Sequence, residues 1–156
     1  MVYILPAMSL SPSYTNWAVT DQESFLQKAK DNLCFAEKAK NEGKFDIEAN
    51  RIYYALHQLA CELVRLGKMT VADGGDKATK QQPYRLGHGK YLTEIYKLIG
   101  TNADYVYQEW STLRGMADYD HESIASKMMW LRTINKKRIS AFQVAEKIYE
   151  KLHANS

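Results

Sequence analysis

Residues 46–67, DIEANRIYYALHQLACELVRLG, contain the clearest helical pattern in the chain. Branched apolar residues recur there in steps of four and three, at Ile52, Leu56, Leu59, Leu63 and Leu66. Steps of this size place all five side chains on one face of an α-helix. Gly67 follows the last of them, where glycine commonly ends a helix. The stretch therefore predicts one long amphipathic helix that begins around Asp46.

Four other segments show helical periodicity. The first follows a capping-box pattern formed by Thr20 and Glu23, and it ends near Gly43. Another helix is expected to start near His88, and the last is expected to run from about Asn135 to His153. The apolar positions on these faces are Leu26, Ala29, Leu33 and Ala36; Leu92, Ile95 and Ile99; Val106, Trp110, Leu113 and Ala117; and Phe142, Ala145, Tyr149 and Leu152.

No segment shows the sustained period-two alternation of a half-buried strand. The sequence therefore predicts an all-α fold, an antiparallel up-and-down bundle of four to five helices. We expect the bundle to cover residues 20–156, preceded by an irregular N-terminal arm at residues 1–19. Residues 120–134 are compatible with either an extra short helix or an ordered loop.

Composition excludes several classes of protein. With 46% hydrophobic and 25% charged residues, the chain of 156 residues is too apolar to be disordered and suits one domain. No stretch approaches the roughly 20 apolar residues that span a bilayer, and the apolar start lacks the basic region of a signal peptide. Cys34 and Cys61 are expected to be buried thiols rather than a disulfide, which favours a cytoplasmic protein.

No zinc-ligand motif such as CxxC or HExxH is present, so we expect no metal site and no cofactor. Charge is unevenly distributed along the chain. Residues 1–62 hold 6 Lys and Arg against 8 Asp and Glu, whereas residues 63–156 hold 15 against 10. The positive excess in the second part weakly favours a polyanionic partner there.

One spacing could carry chemistry. In STLRGMADYDH, residues 111–121, seven positions separate Arg114 from His121, so on an unbroken helix the two point to nearly the same side. Arginine binds phosphate through a planar fork, and histidine transfers protons near neutral pH. Such a pair could cleave an RNA phosphodiester without a metal. The alternative is a local ion pair between Arg114 and Asp118, followed by a solvated loop.

A second spacing, from Arg51 to His57, is geometrically poorer, because six helical positions set the two side chains about 120° apart. Tyr53 and His57 instead share a face. Arg51, Tyr54 and His57 are therefore expected to be mainly structural or interface residues, although His57 could complete a site formed with another element.

Three further features could contact RNA. His88 lies in GHG, either as a simple helix start or as part of an anion-binding helix N-terminus. The basic run RTINKKR could solvate a helix start or contact a nucleic-acid backbone, through Arg132, Lys136 and Lys137. Tyr119 could stack on a base, as could Trp130 and Trp110, although Trp110 fits the core pattern better.

Three motifs, in this order, resemble the HEPN family. EANRIYYALHQLACELV resembles the helix A-x-R-x-Y-Y-A-x-x-H, GHGKYLTEIY is similar to a His-Gly-containing helix start, and LRGMADYD resembles the LRxxADY signature. Together they cover roughly residues 20–155. The resemblance implies an antiparallel helical bundle that is often a homodimer. HEPN ribonucleases carry an R-x(4–6)-H motif near the dimer interface and cleave RNA without a metal. Many are toxins paired with a small nucleotidyltransferase antitoxin, and others act in phage defence.

Arg114 and His121 match the R-x(4–6)-H motif with six residues between them, and Asp118 and Tyr119 match the ADY signature. The resemblance implies that Arg114 binds the scissile phosphate, His121 acts as acid or base, and Asp118 orients either residue. In some pairs the antitoxin modifies a tyrosine beside the motif, so Tyr119 is a candidate target. The remaining candidate RNA- or nucleotide-binding residues are Arg51, His57, His88, Arg132, Lys136 and Lys137.

The leading hypothesis is a dimeric, cytoplasmic, metal-independent endoribonuclease that serves as a toxin or defence component. The alternative is a non-catalytic HEPN module that binds a nucleotide or docks onto a nucleotidyltransferase through the same polar surface. A helical adaptor without a small-molecule site is a third possibility.

Overall fold

A computed structural model describes residues 13–71, 78–87, 91–120, 124–129 and 139–153 of the chain. Five α-helices lie in these ranges: α1 (Ser24–Asn41), α2 (Phe45–Arg65), α3 (Leu92–Ile99), α4 (Thr101–Tyr119) and α5 (Ala141–His153). Two 3₁₀-helical turns, Ser13–Asn16 and Pro83–Arg85, and a short helical segment at residues 124–129 complete the described structure. None of the described residues forms a strand, and the predicted all-α bundle is confirmed.

The predicted stop signals of the first two helices are confirmed. After α1, Gly43 adopts a φ of 71°, and the Lys44 N–H donates to the Ala39 carbonyl at 2.8 Å. After α2, Gly67 has a φ of 72°, and the Lys68 N–H donates to the Leu63 carbonyl at 2.8 Å. Glycine enters this left-handed region without the steric cost that other residues meet. Both helices therefore end in the hydrogen-bonded turn that the sequence predicted.

The predicted helix starts are less accurate. Thr20 is not the cap of α1, which begins at Ser24. The Glu23 carboxylate instead reaches back to accept hydrogen bonds from the Thr20 N–H at 3.1 Å and hydroxyl at 2.8 Å, so only one half of the capping box forms. The last helix begins at Ala141 rather than near Asn135, which lies outside the described residues.

A capping box that the sequence analysis missed sets the start of α5. The Ser140 hydroxyl accepts a hydrogen bond from the Gln143 N–H at 3.2 Å, and the Gln143 side chain accepts one from the Ser140 N–H at 2.7 Å. This is the reciprocal S-x-x-Q pattern. Because it satisfies two N–H groups at the helix end, it favours a start at Ala141.

The predicted apolar faces of α1 and α2 form the centre of the core. Of the nine residues assigned to these two faces, eight are at most 1% exposed: Leu26, Ala29, Leu33, Ala36, Ile52, Leu56, Leu59 and Leu63. The ninth assignment was wrong, since Leu66 is 37% exposed. Leu66 is the residue that follows the last helical residue, Arg65, so it no longer lies on the helical face. Cys61 is buried as predicted, but Cys34 is exposed, and both are free thiols.

The described part of the segment before α1 packs against the bundle. Tyr14 and Trp17 are 3% and 4% exposed, and the Trp17 ring stacks on Tyr149 of α5 with centroids 4.7 Å apart. The Tyr14 hydroxyl donates a hydrogen bond to the Glu37 carboxylate of α1. Since Tyr14 also contacts Phe142 at the start of α5, these contacts extend the core along α5 and α1.

Helix α2 occupies the middle of the bundle, in contact with α1, α4 and α5, and α4 also packs on α3. The residues of interest for function lie where α2, α4 and the start of α3 meet. Within the described ranges, no helix combines the length and apolar composition needed to cross a membrane.

Candidate functional site

Arg114 projects from α4 onto an aromatic ring of α2. Its guanidinium carbon lies 4.8 Å from the centre of the Tyr53 ring, within the range of a cation–π contact. Its Nη1 is 3.5 Å from Oδ2 of Asp118, one helical turn further along. The predicted local ion pair is therefore present. With side chains 31% and 38% exposed, this pair is accessible to solvent and contributes little to stability.

One nitrogen of Arg114 has unused hydrogen-bonding capacity. Its Nε is buried, and no group of the described residues accepts a hydrogen bond from it. Buried donors usually have a partner, and one without a partner commonly marks a place for an unseen ligand or water. Arg114 thus has a fixed position, a permanent charge and a donor that is not satisfied within the described structure.

Tyr53, whose ring contacts the guanidinium, is almost completely buried. The residue is 5% exposed, and its ring meets Tyr54 at an interplanar angle of 74°. The pKa of Tyr53 is raised to about 12, mainly by burial; the charge of Arg114 opposes this rise, and Tyr54 adds to it. The phenol is therefore neutral at physiological pH, and the positive charge above it is not cancelled by a phenolate.

His57 continues the aromatic series from Tyr53. Its ring is nearly parallel to that of Tyr53, with an angle of 11° and centroids 6.2 Å apart, which confirms that the two share a face of α2. Its Nδ1 is 3.1 Å from the Tyr91 hydroxyl. Arg114, Tyr53, His57 and Tyr91 therefore follow one another across the junction of α4, α2 and the start of α3. In this series His57 fixes the Tyr91 ring.

Arg51 points away from His57, as the six-residue spacing predicted. Its Nη1 donates to Oδ1 of Asn32 at 3.2 Å, and its guanidinium lies 5.7 Å from the centre of the Phe35 ring on α1. The structure nevertheless brings Arg51 near the end of α4, where Arg51 and Asp118 line a shallow groove of about 260 Å³. The other lining residues are Asp46, Ile47, Asn50 and Ala117.

A deeper cavity of about 330 Å³ lies between α2, α4 and the start of α3. Its lining residues are Tyr53, Tyr91, Leu92, Tyr107, Gln108, Ser111 and Thr112. The sequence does not predict this cavity. Three tyrosines separated by 38 and 16 positions share no local motif, and only the packing of three helices brings them together.

Several predicted site residues lie outside the described ranges: His88, His121, Arg132, Lys136 and Lys137. The geometry between Arg114 and His121 therefore stays a prediction. Tyr119, the last residue of α4, is 90% exposed and lies next to Asp118. Of the ten candidate residues, the described structure groups Arg114 with Asp118 and, through Tyr53, with His57.

Comparison of the chain with protein-family models, with curated protein sequences and with solved structures found no significant match. The resemblance to HEPN domains therefore rests on the three sequence motifs.

Proposed function

We propose that this protein is a HEPN-type, metal-independent endoribonuclease in which Arg114 binds the scissile phosphate. The observation that carries the proposal is the position of Arg114: its guanidinium is held on the ring of Tyr53, a residue that lines the cavity of about 330 Å³, and 31% of the arginine side chain is exposed. A guanidinium supported in this way keeps its planar fork oriented toward an incoming anion, with little reorganisation on binding.

The proposed reaction uses the ribose adjacent to the bound phosphate. A base removes the proton of the 2′-hydroxyl, and the oxygen attacks phosphorus. The bond from phosphorus to the 5′-oxygen breaks, and an acid protonates that oxygen. The products are a 2′,3′-cyclic phosphate and a 5′-hydroxyl. Arg114 stabilises the charge that develops on the phosphoryl oxygens, and His121 supplies one of the two proton transfers.

Asp118 acts in this proposal as a positioning residue. Its carboxylate oxygen lies 3.5 Å from Nη1 of Arg114, so it gives the guanidinium a second contact besides the Tyr53 ring and limits its rotation. A carboxylate would repel phosphate at short range, and the ring of Tyr53 compensates by attracting the cation without adding negative charge. The guanidinium can therefore exchange one weak, solvent-accessible partner for a phosphate.

The test is cleavage of single-stranded RNA in excess chelator. We expect wild-type protein to cut, Arg114→Ala to lose about 10²–10³ in rate, and His121→Ala to lose about 10²–10⁴. Lys97→Ala is the charge-matched control, because Lys97 is 65% exposed on α3 and pairs only weakly with Glu94 at 3.4 Å. Absence of cleavage by wild type across varied RNAs, or equal rates in wild type and Arg114→Ala, would overturn the proposal.

The cavity of about 330 Å³ favours a second candidate, a non-catalytic module that binds a nucleotide. Its volume is at the lower end of the range typical of small-molecule sites. If the protein is such a module, the same surface binds RNA or a nucleotide without cleaving it, and the only effect of Arg114→Ala is weaker binding. Measuring binding and cleavage on the same preparations separates the two functions.

The biological setting is proposed from the sequence resemblance. It is a homodimeric cytoplasmic toxin or defence protein, regulated by a nucleotidyltransferase antitoxin. The 90% exposure of Tyr119 supports its role as a target for modification, because an enzyme can reach its hydroxyl. A nucleotidyltransferase encoded next to this protein, and transfer of a nucleotide to wild type but not to Tyr119→Phe, would support this setting. Equal modification of both proteins would exclude Tyr119.

A further inference from the structure

The cavity between α2, α3 and α4 has rigid aromatic walls. Tyr53, Tyr91 and Tyr107 are 5%, 2% and 4% exposed, and the rings of Tyr91 and Tyr107 meet at 89° with centroids 5.6 Å apart. The Tyr107 hydroxyl donates to the Leu56 carbonyl at 2.7 Å, and the Tyr91 hydroxyl is bonded to His57. Since these hydroxyls are engaged, the rings cannot turn freely, and the inner cavity suits a flat, largely apolar group.

The rim of the cavity is polar. Gln108 and Ser111 are exposed residues of α4 that line it, and a glutamine amide both donates and accepts hydrogen bonds. The neighbouring Thr112 hydroxyl donates its proton to the Gln108 backbone carbonyl at 3.1 Å and can therefore act only as an acceptor at the rim. An apolar interior with amide and hydroxyl groups at its mouth matches a nucleobase, which has an aromatic face and a polar edge.

Gly115 extends this surface toward Arg114. It lies four residues after Ser111, about 6 Å further along the same side of α4. Glycine inside a helix costs about 1 kcal/mol relative to alanine. Within the described structure no atom lies within 4 Å of the position that a Cβ would occupy, so internal packing does not require glycine here. Close approach of a ligand from outside would require it.

We propose that this cavity is a nucleobase subsite for single-stranded RNA. One unpaired base occupies the cavity that the tyrosines line, its ribose crosses α4 at Gly115, and its phosphate reaches Arg114. Duplex RNA is excluded, because its bases are stacked and paired and cannot enter a cavity of this kind. The inference rests on the proposed function in that RNA binds this face of α4, but it does not require that the RNA be cut.

The test measures binding of a short, fluorescently labelled single-stranded RNA in excess chelator, together with thermal unfolding. Gly115→Ala is expected to raise the melting temperature and to weaken RNA binding about tenfold or more, because a stacked base contributes on that scale. If the glycine had only a structural role, the substitution would not weaken RNA binding while raising the melting temperature. Gln108→Leu is expected to weaken binding several-fold. Gln27→Leu, the same substitution on the exposed side of α1, is the matched control and is expected to bind as wild type.

A competition experiment tests the base directly. Nucleoside monophosphates are expected to displace the labelled RNA at concentrations at which ribose 5-phosphate does not. Equal competition by ribose 5-phosphate would overturn the proposal, as would unchanged RNA affinity in Gly115→Ala. A changed oligomeric state in Gly115→Ala would assign the glycine to a subunit contact and would also overturn it.

The outcomes separate this inference from cleavage. If wild type binds RNA with the expected pattern of variants but never cuts it, the endoribonuclease proposal fails and the subsite stands. If wild type cuts RNA, and Gly115→Ala and Gln108→Leu bind and cut it equally well, the subsite fails alone.

Discussion

The contact between Arg114 and Tyr53 makes a quantitative prediction about stability. The distance from the guanidinium carbon to the ring centre is 4.8 Å, the tyrosine is 5% exposed and the arginine side chain 31% exposed. Cation–π contacts contribute about 0.5–1 kcal/mol at exposed sites and about 2 kcal/mol when desolvated. For this partly buried geometry we expect an interaction free energy of about 1 kcal/mol.

A double-mutant cycle isolates this quantity. Tyr53→Leu removes the ring, and Arg114→Met removes the charge while keeping much of the stem. The pairing of Arg114 with Asp118 is lost in both backgrounds and cancels, as does the packing of Tyr53 against Tyr54 and His57. The assay is urea unfolding of the four proteins, followed by circular dichroism. The free energies of unfolding are compared only if the four proteins show the same slope of free energy against urea concentration.

The control cycle replaces Tyr53 with phenylalanine, which keeps the aromatic ring and removes only the hydroxyl. We expect this second cycle to give an interaction free energy close to zero. A value below about 0.3 kcal/mol in the leucine cycle, which is within the error of additivity, would refute the claim that the ring holds the arginine. The guanidinium would then lack the preorganisation on which the proposed phosphate site depends.

Three further predictions concern stability. Arg65→Met is expected to lower the free energy of unfolding by about 3 kcal/mol, because the fully buried Glu62 carboxylate then loses its two hydrogen bonds of 2.6 and 2.8 Å from Arg65. A loss below about 1 kcal/mol in urea unfolding would contradict this prediction. Gly67→Ala is expected to lower the free energy of unfolding by about 1–2 kcal/mol, because φ is 72°, whereas the Lys80 side chain beside the new Cβ can move aside; an unchanged melting temperature would exclude that backbone strain. The pKa of Tyr53 is raised from 10.0 to about 12, mainly by burial, so the unfolded chain releases this proton at lower pH than the folded protein, and the free energy of unfolding should fall between pH 10 and 12. Tyr53→Phe should reduce that fall, and an equal dependence on pH in both proteins would contradict the prediction.

The core of α1 and α2 was predictable from the sequence because local periodicity alone determines which side of a helix is apolar. The ends marked by Gly43 and Gly67 were also predictable, since a left-handed residue after a helix strongly favours glycine. Helix starts were harder to predict. TDQE and SAFQ both contain a capping pattern, and only the second forms the reciprocal pair of hydrogen bonds.

In the candidate site, too, features set by helical spacing were predictable from the sequence, and features set by packing between helices were not. The ion pair of Arg114 and Asp118 follows from an i,i+4 spacing, and the different directions of Arg51 and His57 follow from helical geometry. The placement of Arg114 on Tyr53 could not be predicted, because it depends on how α4 crosses α2. The same holds for the tyrosine-lined cavity, whose walls come from three helices.

The most direct test of the proposed phosphate site is the single-turnover rate of RNA cleavage by Arg114→Lys in excess chelator. Lysine keeps the positive charge but loses the planar fork and its stacking on Tyr53. If Arg114 binds the scissile phosphate through an oriented guanidinium, cleavage should slow about 100-fold, while the free energy of unfolding should fall by no more than the roughly 1 kcal/mol of the contact with Tyr53. Cleavage by Arg114→Lys at the rate of wild type and of Lys97→Ala would contradict the account.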